Sequence, residues 1–124
     1  MSDAYKTMIE ALVEDSHGAA VKAGWWSDLA TGEPKDRNDG ECIALMHSEL
    51  SEGLEALRKD LMDDHLPHRP GIECELADTL IRIFDFAGAR GLDLGGAYVE
   101  KRAYNDKRAD HKPENRVAAD GKKF

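Results

Sequence analysis

The chain has 124 residues, which is enough for one compact domain and hardly two. Its 41% hydrophobic and 34% charged residues are typical of a globular protein with a modest core. The formal net charge of −8 argues against a protein that coats nucleic acid by neutralising phosphates, but it is compatible with a small anion held through a metal ion.

The sequence gives no sign of export or membrane insertion. The N-terminal segment is polar and helix-like, so we predict no signal peptide. A run of about 18 apolar residues is lacking, so we predict no transmembrane span. Cys42 and Cys74 lie in separate segments, which favours reduced thiols in a cytoplasmic protein.

Hydrophobic periodicity predicts an all-α fold of four helices with no strand. The predicted helices cover about residues 3–23, 41–59, 72–90 and 94–109. Loops rich in glycine, proline and asparagine separate them, which favours a four-helix antiparallel bundle. We predict one domain over residues 1–110, followed by a polar and extended C-terminal tail over residues 111–124. A small helical core also favours oligomerisation.

The second predicted helix carries two different stripes. Its main core stripe is predicted to be Ile43, Met46, Leu50, Leu54, Leu57 and Leu61. Glu49 and Glu52 fall on another stripe, together with Leu45, Gly53 and Ala56. A stripe that faced only water would not need these apolar and small residues. We therefore predict that the two glutamates face protein or a lined cavity.

The third predicted helix is apolar around most of its circumference and is expected to be largely buried. One polar stripe runs along it, made of Glu75, Asp78, Arg82 and Asp85. Buried carboxylates must be paired or must bind a metal ion, and Arg82 could satisfy only one neighbour.

Antiparallel packing would bring E-x-x-E of the second helix close to E-x-x-D of the third. Four carboxylates without a nearby excess of cations indicate a site for a hard cation, Mg²⁺ or alternatively Mn²⁺. A solvated face with salt bridges is the alternative for either motif alone. A di-iron or metal-storage protein is disfavoured because no histidine follows a suitable glutamate at the E-x-x-H spacing.

The fourth predicted helix places two cations, an amide and a phenol on one face: Lys101, Tyr104, Asn105 and Arg108. Such a face suits phosphate oxygens, although a solvated face is the common alternative. Beside a carboxylate-metal site it predicts a clamp for a polyphosphate substrate.

With these motifs the chain resembles the all-α nucleoside triphosphate pyrophosphohydrolases, the MazG-like and dimeric dUTPase group, and among them the short single-domain MazG-like members. The matching segments are GWW, ECIALMHSELSEGLEALR, LPHRPGIECELADTLIRIFDF, RGLDL and EKRAYNDKR, in this order. They cover most of the chain between about Ala23 and His111.

The resemblance implies a Mg²⁺-dependent enzyme that converts a nucleoside triphosphate, often a deoxynucleotide, to the monophosphate and pyrophosphate. It implies homodimers or dimers of dimers, with control of the nucleotide pool as the role. The implied metal ligands are Glu49, Glu52, Glu75 and Asp78, of which Glu49 or Glu52 would also act on water. The implied phosphate contacts are Lys101, Tyr104, Asn105 and Arg108, and the implied base and sugar contacts are Trp25, Trp26 and Asp28. We expect one of the two tryptophans to serve packing instead. The alternative function is a non-catalytic nucleotide-binding dimer.

Overall fold

The structure is a computed structural model that describes residues 2–124. Its elements are α1 (Ser2–Lys22), α2 (Asp39–Lys59), α3 (Gly71–Ala89), α4 (Leu94–Lys107), a 3-10 turn (Ala109–His111) and α5 (Pro113–Arg116). Within the described range no strand forms, and only two isolated bridges occur, Ser27 with Pro34 and Met62 with Pro70. The all-α prediction is confirmed, and each of the four long helices ends within two residues of its predicted limits.

The chain divides into two compact units. One unit is Leu12–Leu92, which carries the second part of α1, the loop after it, and the α2 and α3 helices. The other unit joins the chain as far as Ala11 with Asp93–Phe124. No helix among residues 2–124 has the combination of length and apolar character that a membrane crossing requires.

α2 and α3 form an antiparallel hairpin inside the Leu12–Leu92 unit. Asn38 caps α2 by accepting a hydrogen bond from the amide of Glu41. The other end of α2 stops at Asp60, whose φ of 52° places it in the left-handed region. Contacts along α2 then run backwards along α3, from Ala56 beside Gly71 to Glu49 beside Arg82.

Small residues allow the two helices to approach closely. A Cβ at Gly53 would lie 3.0 Å from Cδ1 of Ile72 and 3.4 Å from the Cβ of Glu75. Gly53 and Ala56 are therefore buried, and Glu49 beside them is only 8% exposed. The prediction that this stripe faces protein is confirmed for these three residues, whereas Glu52 is exposed.

The predicted core stripe of α2 was wrong for the single chain. Five of its six members are between 41% and 60% exposed, namely Ile43, Leu50, Leu54, Leu57 and Leu61. The reason is that the small residues, and not the leucines, give α3 its closest approach. Leu76, Leu80 and Ile81 of α3 are also about half exposed, so this helix is less buried than its composition predicts.

The segment after residue 110 is not extended as predicted. Pro113 starts a short helix, a position where its missing N–H costs no hydrogen bond. Arg116 then donates to the carbonyl oxygens of Lys122 and Lys123, and the ammonium group of Lys123 donates back to the carbonyl oxygen of Arg116. These side-chain to backbone bonds fold the polar segment onto itself.

Candidate metal and nucleotide site

Three acidic side chains converge where α2 crosses α3. One carboxylate oxygen each from Glu49, Glu52 and Glu75 lies within 4.8 Å of the others. The antiparallel hairpin brings them together because E-x-x-E and the first acid of E-x-x-D lie at the same level of the two helices. The structure thus assembles three of the four predicted metal ligands from two separate segments.

The surroundings of Glu75 at this crossing strongly raise its pKa. Burial, hydrogen bonding to Glu49 and Glu52 and the negative charges of both raise the pKa of Glu75 to about 8. Its Oε2 atom is buried and has no hydrogen-bond partner among the described residues. A proton on Glu75, or a bound cation, would lower the repulsion among the three carboxylates.

Asp78, the fourth predicted ligand, stands outside this group of three. It lines the same cavity of about 410 Å³ as the three glutamates, one helical turn along α3. Burial and the charge of Glu49 raise the pKa of Asp78. The cavity also contains Asp63, which sequence reasoning missed because it lies in a loop and follows no helical spacing. Asp63 accepts the amide hydrogens of His65 and Leu66, so it also shapes that loop.

Arg82 supplies the one direct cation to the acidic group. Its Nε donates to Oε1 of Glu49 at 3.1 Å. This agrees with the expectation that Arg82 would pair with a single neighbour. Glu49 is therefore held in place by a salt bridge, while Glu52 and Glu75 have no arginine or lysine within salt-bridge distance among the residues described.

A second cavity, of about 500 Å³, lies farther along the same stripe of α3. Asp78, Arg82 and Asp85 form its polar side. Small residues form another wall, namely Ser16, Ala19 and Ala20 of α1 and Ala23 directly after it. Trp25 also lines it and is 65% exposed. Since Asp78 borders both cavities, the polar stripe of α3 connects the acidic group with the space beside Trp25.

Trp26 lies against protein groups instead. Its indole N–H donates to Oδ1 of Asp85 at 2.9 Å, and its ring meets the His17 ring edge to face at 5.8 Å. The guanidinium groups of Arg37 and Arg90 lie over the ring, 5.1 and 5.7 Å from its centroid. Trp26 is therefore the packing tryptophan, and Trp25 is the one that borders a cavity.

The loop residues have structural tasks. Asp28, a predicted base or sugar contact, accepts the amide hydrogens of Ala30 and Thr31 and forms a turn. It does not line the cavity beside Trp25. Arg37, which sequence reasoning did not single out, does line it; its only signal is a cation placed soon after two tryptophans.

The predicted phosphate contacts lie in the other compact unit, at the end of α4. Lys101 and Arg108 both lie beside the Tyr104 ring, with their charged groups 4.8 and 5.9 Å from its centroid. The guanidinium group of Arg108 donates two hydrogen bonds to the Asp110 carboxylate, at 2.9 and 2.6 Å, and these lower the pKa of Asp110. The Oδ1 atom of Asn105 is buried without a hydrogen-bond partner in the described chain. Both cations thus lie beside the Tyr104 ring, on the one helix face where the spacing placed these residues.

No protein-family model, curated protein or solved structure matches this chain. The resemblance to the MazG-like enzymes therefore depends on the sequence motifs, and the case for a function depends on the geometry of the site.

Proposed function

We propose that this protein is a Mg²⁺-dependent pyrophosphohydrolase of the MazG-like type, which converts a nucleoside triphosphate to the monophosphate and pyrophosphate. Mn²⁺ would substitute for Mg²⁺, the preferred substrate would be a deoxynucleotide, and the role would be control of the nucleotide pool. The fold would be an antiparallel four-helix bundle that works as a homodimer or a dimer of dimers.

The convergence of Glu49, Glu52 and Glu75 is the observation that carries the proposal. Three carboxylate oxygens within 4.8 Å repel one another, and this repulsion adds to burial in raising the pKa of Glu75 to about 8. A hard divalent cation prefers carboxylate oxygens and would remove the repulsion. The unpartnered Oε2 of Glu75 is an available ligand atom for such an ion.

Each group has a role in the proposed reaction. Glu49, Glu52, Glu75 and Asp78 would hold Mg²⁺, which when bound would polarise the phosphate and lower the pKa of a water molecule. Glu49 or Glu52 would orient that water and accept its proton. Lys101 and Arg108, with Asn105 and Tyr104 beside them, would offset the charge that develops on the departing pyrophosphate.

The exposed apolar side chains support the proposed dimer. Leucines and isoleucines of α2 and α3 are about half exposed, and they recur at helical spacing instead of lying scattered. Contiguous apolar surface of this kind marks an interaction site in most water-soluble proteins. A second copy of the chain would cover it with the same residues, as in a symmetric dimer.

The test is analysis of the products. Each deoxynucleoside and ribonucleoside triphosphate is incubated with the protein and Mg²⁺, and phosphorus NMR follows the phosphates. We expect monophosphate and pyrophosphate in equal amounts, and no reaction in EDTA. Inorganic phosphate as the sole product, or no turnover of any nucleotide, would contradict the proposal.

The alternative, a nucleotide-binding dimer without catalysis, is tested in the same experiment. It would be favoured by tight binding of a triphosphate, measured by calorimetry, together with the absence of both products.

A further inference from the structure

Asp85 is a partly buried carboxylate whose two oxygens differ in their hydrogen bonds. Its side chain is 13% exposed, and its Oδ1 accepts hydrogen bonds from Nδ1 of His17 and from Nε1 of Trp26, both at 2.9 Å. Among the described residues, Oδ2 accepts no hydrogen bond. Two rigid rings therefore fix the carboxylate in one orientation and leave one oxygen as a free acceptor.

The packing around His17 and Trp26 stabilises this orientation of the Asp85 carboxylate. A Cβ at Gly88 would lie 2.6 Å from the Cβ of His17, so glycine at this position lets α1 and α3 approach until the imidazole reaches Asp85. Arg37 and Arg90 over the Trp26 ring hold the other donor. A carboxylate held by so many groups loses little entropy when it binds a ligand.

The cavity beside Asp85 suits a nucleobase. Its walls combine the flat ring of Trp25 with the small side chains of α1, and the guanidinium group of Arg37 adds donors. Aromatic faces stack on bases of any kind, so selection among bases must come from polar groups at their edges. Asp85 follows Glu75 by ten residues, which is about 15 Å along the helix axis. The acidic group and Asp85 therefore lie at opposite ends of a path along α3.

We propose that Asp85 selects nucleotides whose base carries an exocyclic amino group at the position of N4 in cytosine or N6 in adenine, where guanine has a carbonyl oxygen. Its free oxygen would accept a hydrogen bond from N4 of cytosine or N6 of adenine. Uracil, thymine and hypoxanthine carry a carbonyl oxygen at the same position, which a carboxylate repels. The preferred substrates would be amino-base nucleotides such as dCTP and dATP. This inference rests on the proposed function of the site.

Two matched pairs of nucleotides test it, because dCTP differs from dUTP, and dATP from dITP, only in this exocyclic group and in the hydrogen on the ring nitrogen next to it. We expect kcat/KM to favour the amino member of each pair about ten- to a hundredfold, as for a site built around one hydrogen bond. In Asp85→Asn the amide oxygen would keep the two ring donors and the NH2 group would take the free position, where it can only donate, so the ratio should fall to one or below. Asp15→Asn, a change at an exposed position of α1, should leave it unaltered.

The outcomes separate this inference from the proposed function. Equal kcat/KM within both pairs would overturn the role of Asp85 and leave the pyrophosphohydrolase proposal standing. An unchanged ratio in Asp85→Asn, with circular dichroism showing a helical protein, would overturn it as well.

Binding of the monophosphates dCMP and dUMP, followed by calorimetry, needs no turnover. Should no triphosphate be hydrolysed, a tenfold preference for dCMP that disappears in Asp85→Asn would still support the base selection. Equal binding of the two monophosphates would overturn it.

Discussion

The two sides of α2 invert the usual arrangement of a helix. The side that faces α3 carries a buried carboxylate, Glu49, between small residues, whereas a neighbouring face about 100° around the helix exposes Leu50, Leu54 and Leu57. In most single domains the leucines would be inside and the acid outside. The difference shows that the hairpin is built to place charge in its interior, at the expense of apolar burial within one chain.

The grouped carboxylates and the exposed leucines both lower the stability of an isolated chain. In each case a partner from outside the chain would reduce this cost. A divalent cation would relieve the repulsion among the acids, and a second copy would cover the leucines. If cation binding and dimer formation are independent, changes to the acids that face α3 should affect metal-dependent turnover. Changes to the exposed leucines should affect assembly.

The largest effect is expected on turnover, from changes to the acids at the crossing of α2 and α3. Glu49→Gln or Glu75→Gln should lower Mg²⁺-dependent turnover by at least about a hundredfold, because each removes a charged ligand from the proposed metal site. Steady-state pyrophosphate release measures it. Glu73→Gln is the matched control on α3, since Glu73 is exposed and pairs with Arg69. Equal activity of Glu75→Gln and Glu73→Gln would refute the metal site.

Changes to the exposed leucines of α2 should alter the oligomeric state. The double change Leu54→Glu and Leu57→Glu should convert the proposed dimer to monomer at micromolar concentration, because two charges would be buried at the contact. Sedimentation velocity measures the change. The control is Leu29→Glu in the loop, since Leu29 is 85% exposed but belongs to no apolar stripe. A wild-type protein that sediments as a monomer would contradict the proposed interface.

A smaller effect should appear in the dependence of stability on pH. The pKa of Glu75 rises from its ordinary 4.5 to about 8 on folding, so the folded chain holds a proton that the unfolded chain releases. Stability in EDTA is thus highest below pH 4.5 as far as Glu75 is concerned, and this contribution is lost as the pH rises toward 8. We expect the melting temperature in EDTA to fall by a few degrees between pH 5 and pH 8.

Two comparisons sharpen this measurement. Mg²⁺ should restore the melting temperature at pH 8, since the ion would replace the proton between the carboxylates. Glu75→Gln should flatten the dependence in EDTA because its amide does not titrate. A melting temperature in EDTA that rises steadily from pH 5 to pH 8 in both proteins would show that the acids do not repel one another as described.

The smallest effect is expected from Gly53→Ala. Alanine has a higher helix propensity than glycine, which favours the folded state. Its methyl group would lie 3.0 Å from Cδ1 of Ile72, so that side chain must move by a few tenths of an ångström. These terms oppose each other, so the free energy of unfolding should change by about 1 kcal/mol or less. Chemical denaturation measures it. A loss well above that value would mean that Ile72 and α3 cannot move.

Helical periodicity predicted the helices and the acid motifs well, because both depend on local spacing. It predicted that the stripe with Glu49, Gly53 and Ala56 faces protein, but it wrongly made the leucine stripe the main core, since that depends on how closely α3 approaches at Gly53 and Ala56. The meeting of Glu49, Glu52 and Glu75 followed from antiparallel packing. The roles of Trp26 and Asp85 could not be read from the sequence, because His17, Trp26 and Asp85 come from three distant segments.

The narrow crossing at Gly53 has a consequence for ion size. Because Glu49 and Glu75 lie on different helices, the separation of the helix axes fixes how far apart their oxygens are. Mg²⁺ needs oxygens at about 2.0–2.1 Å, and Ca²⁺ accepts about 2.3–2.6 Å. We therefore expect the glycine at the crossing to favour the smaller ion in the proposed metal site, and a bulkier residue there to shift the preference toward cations of larger radius.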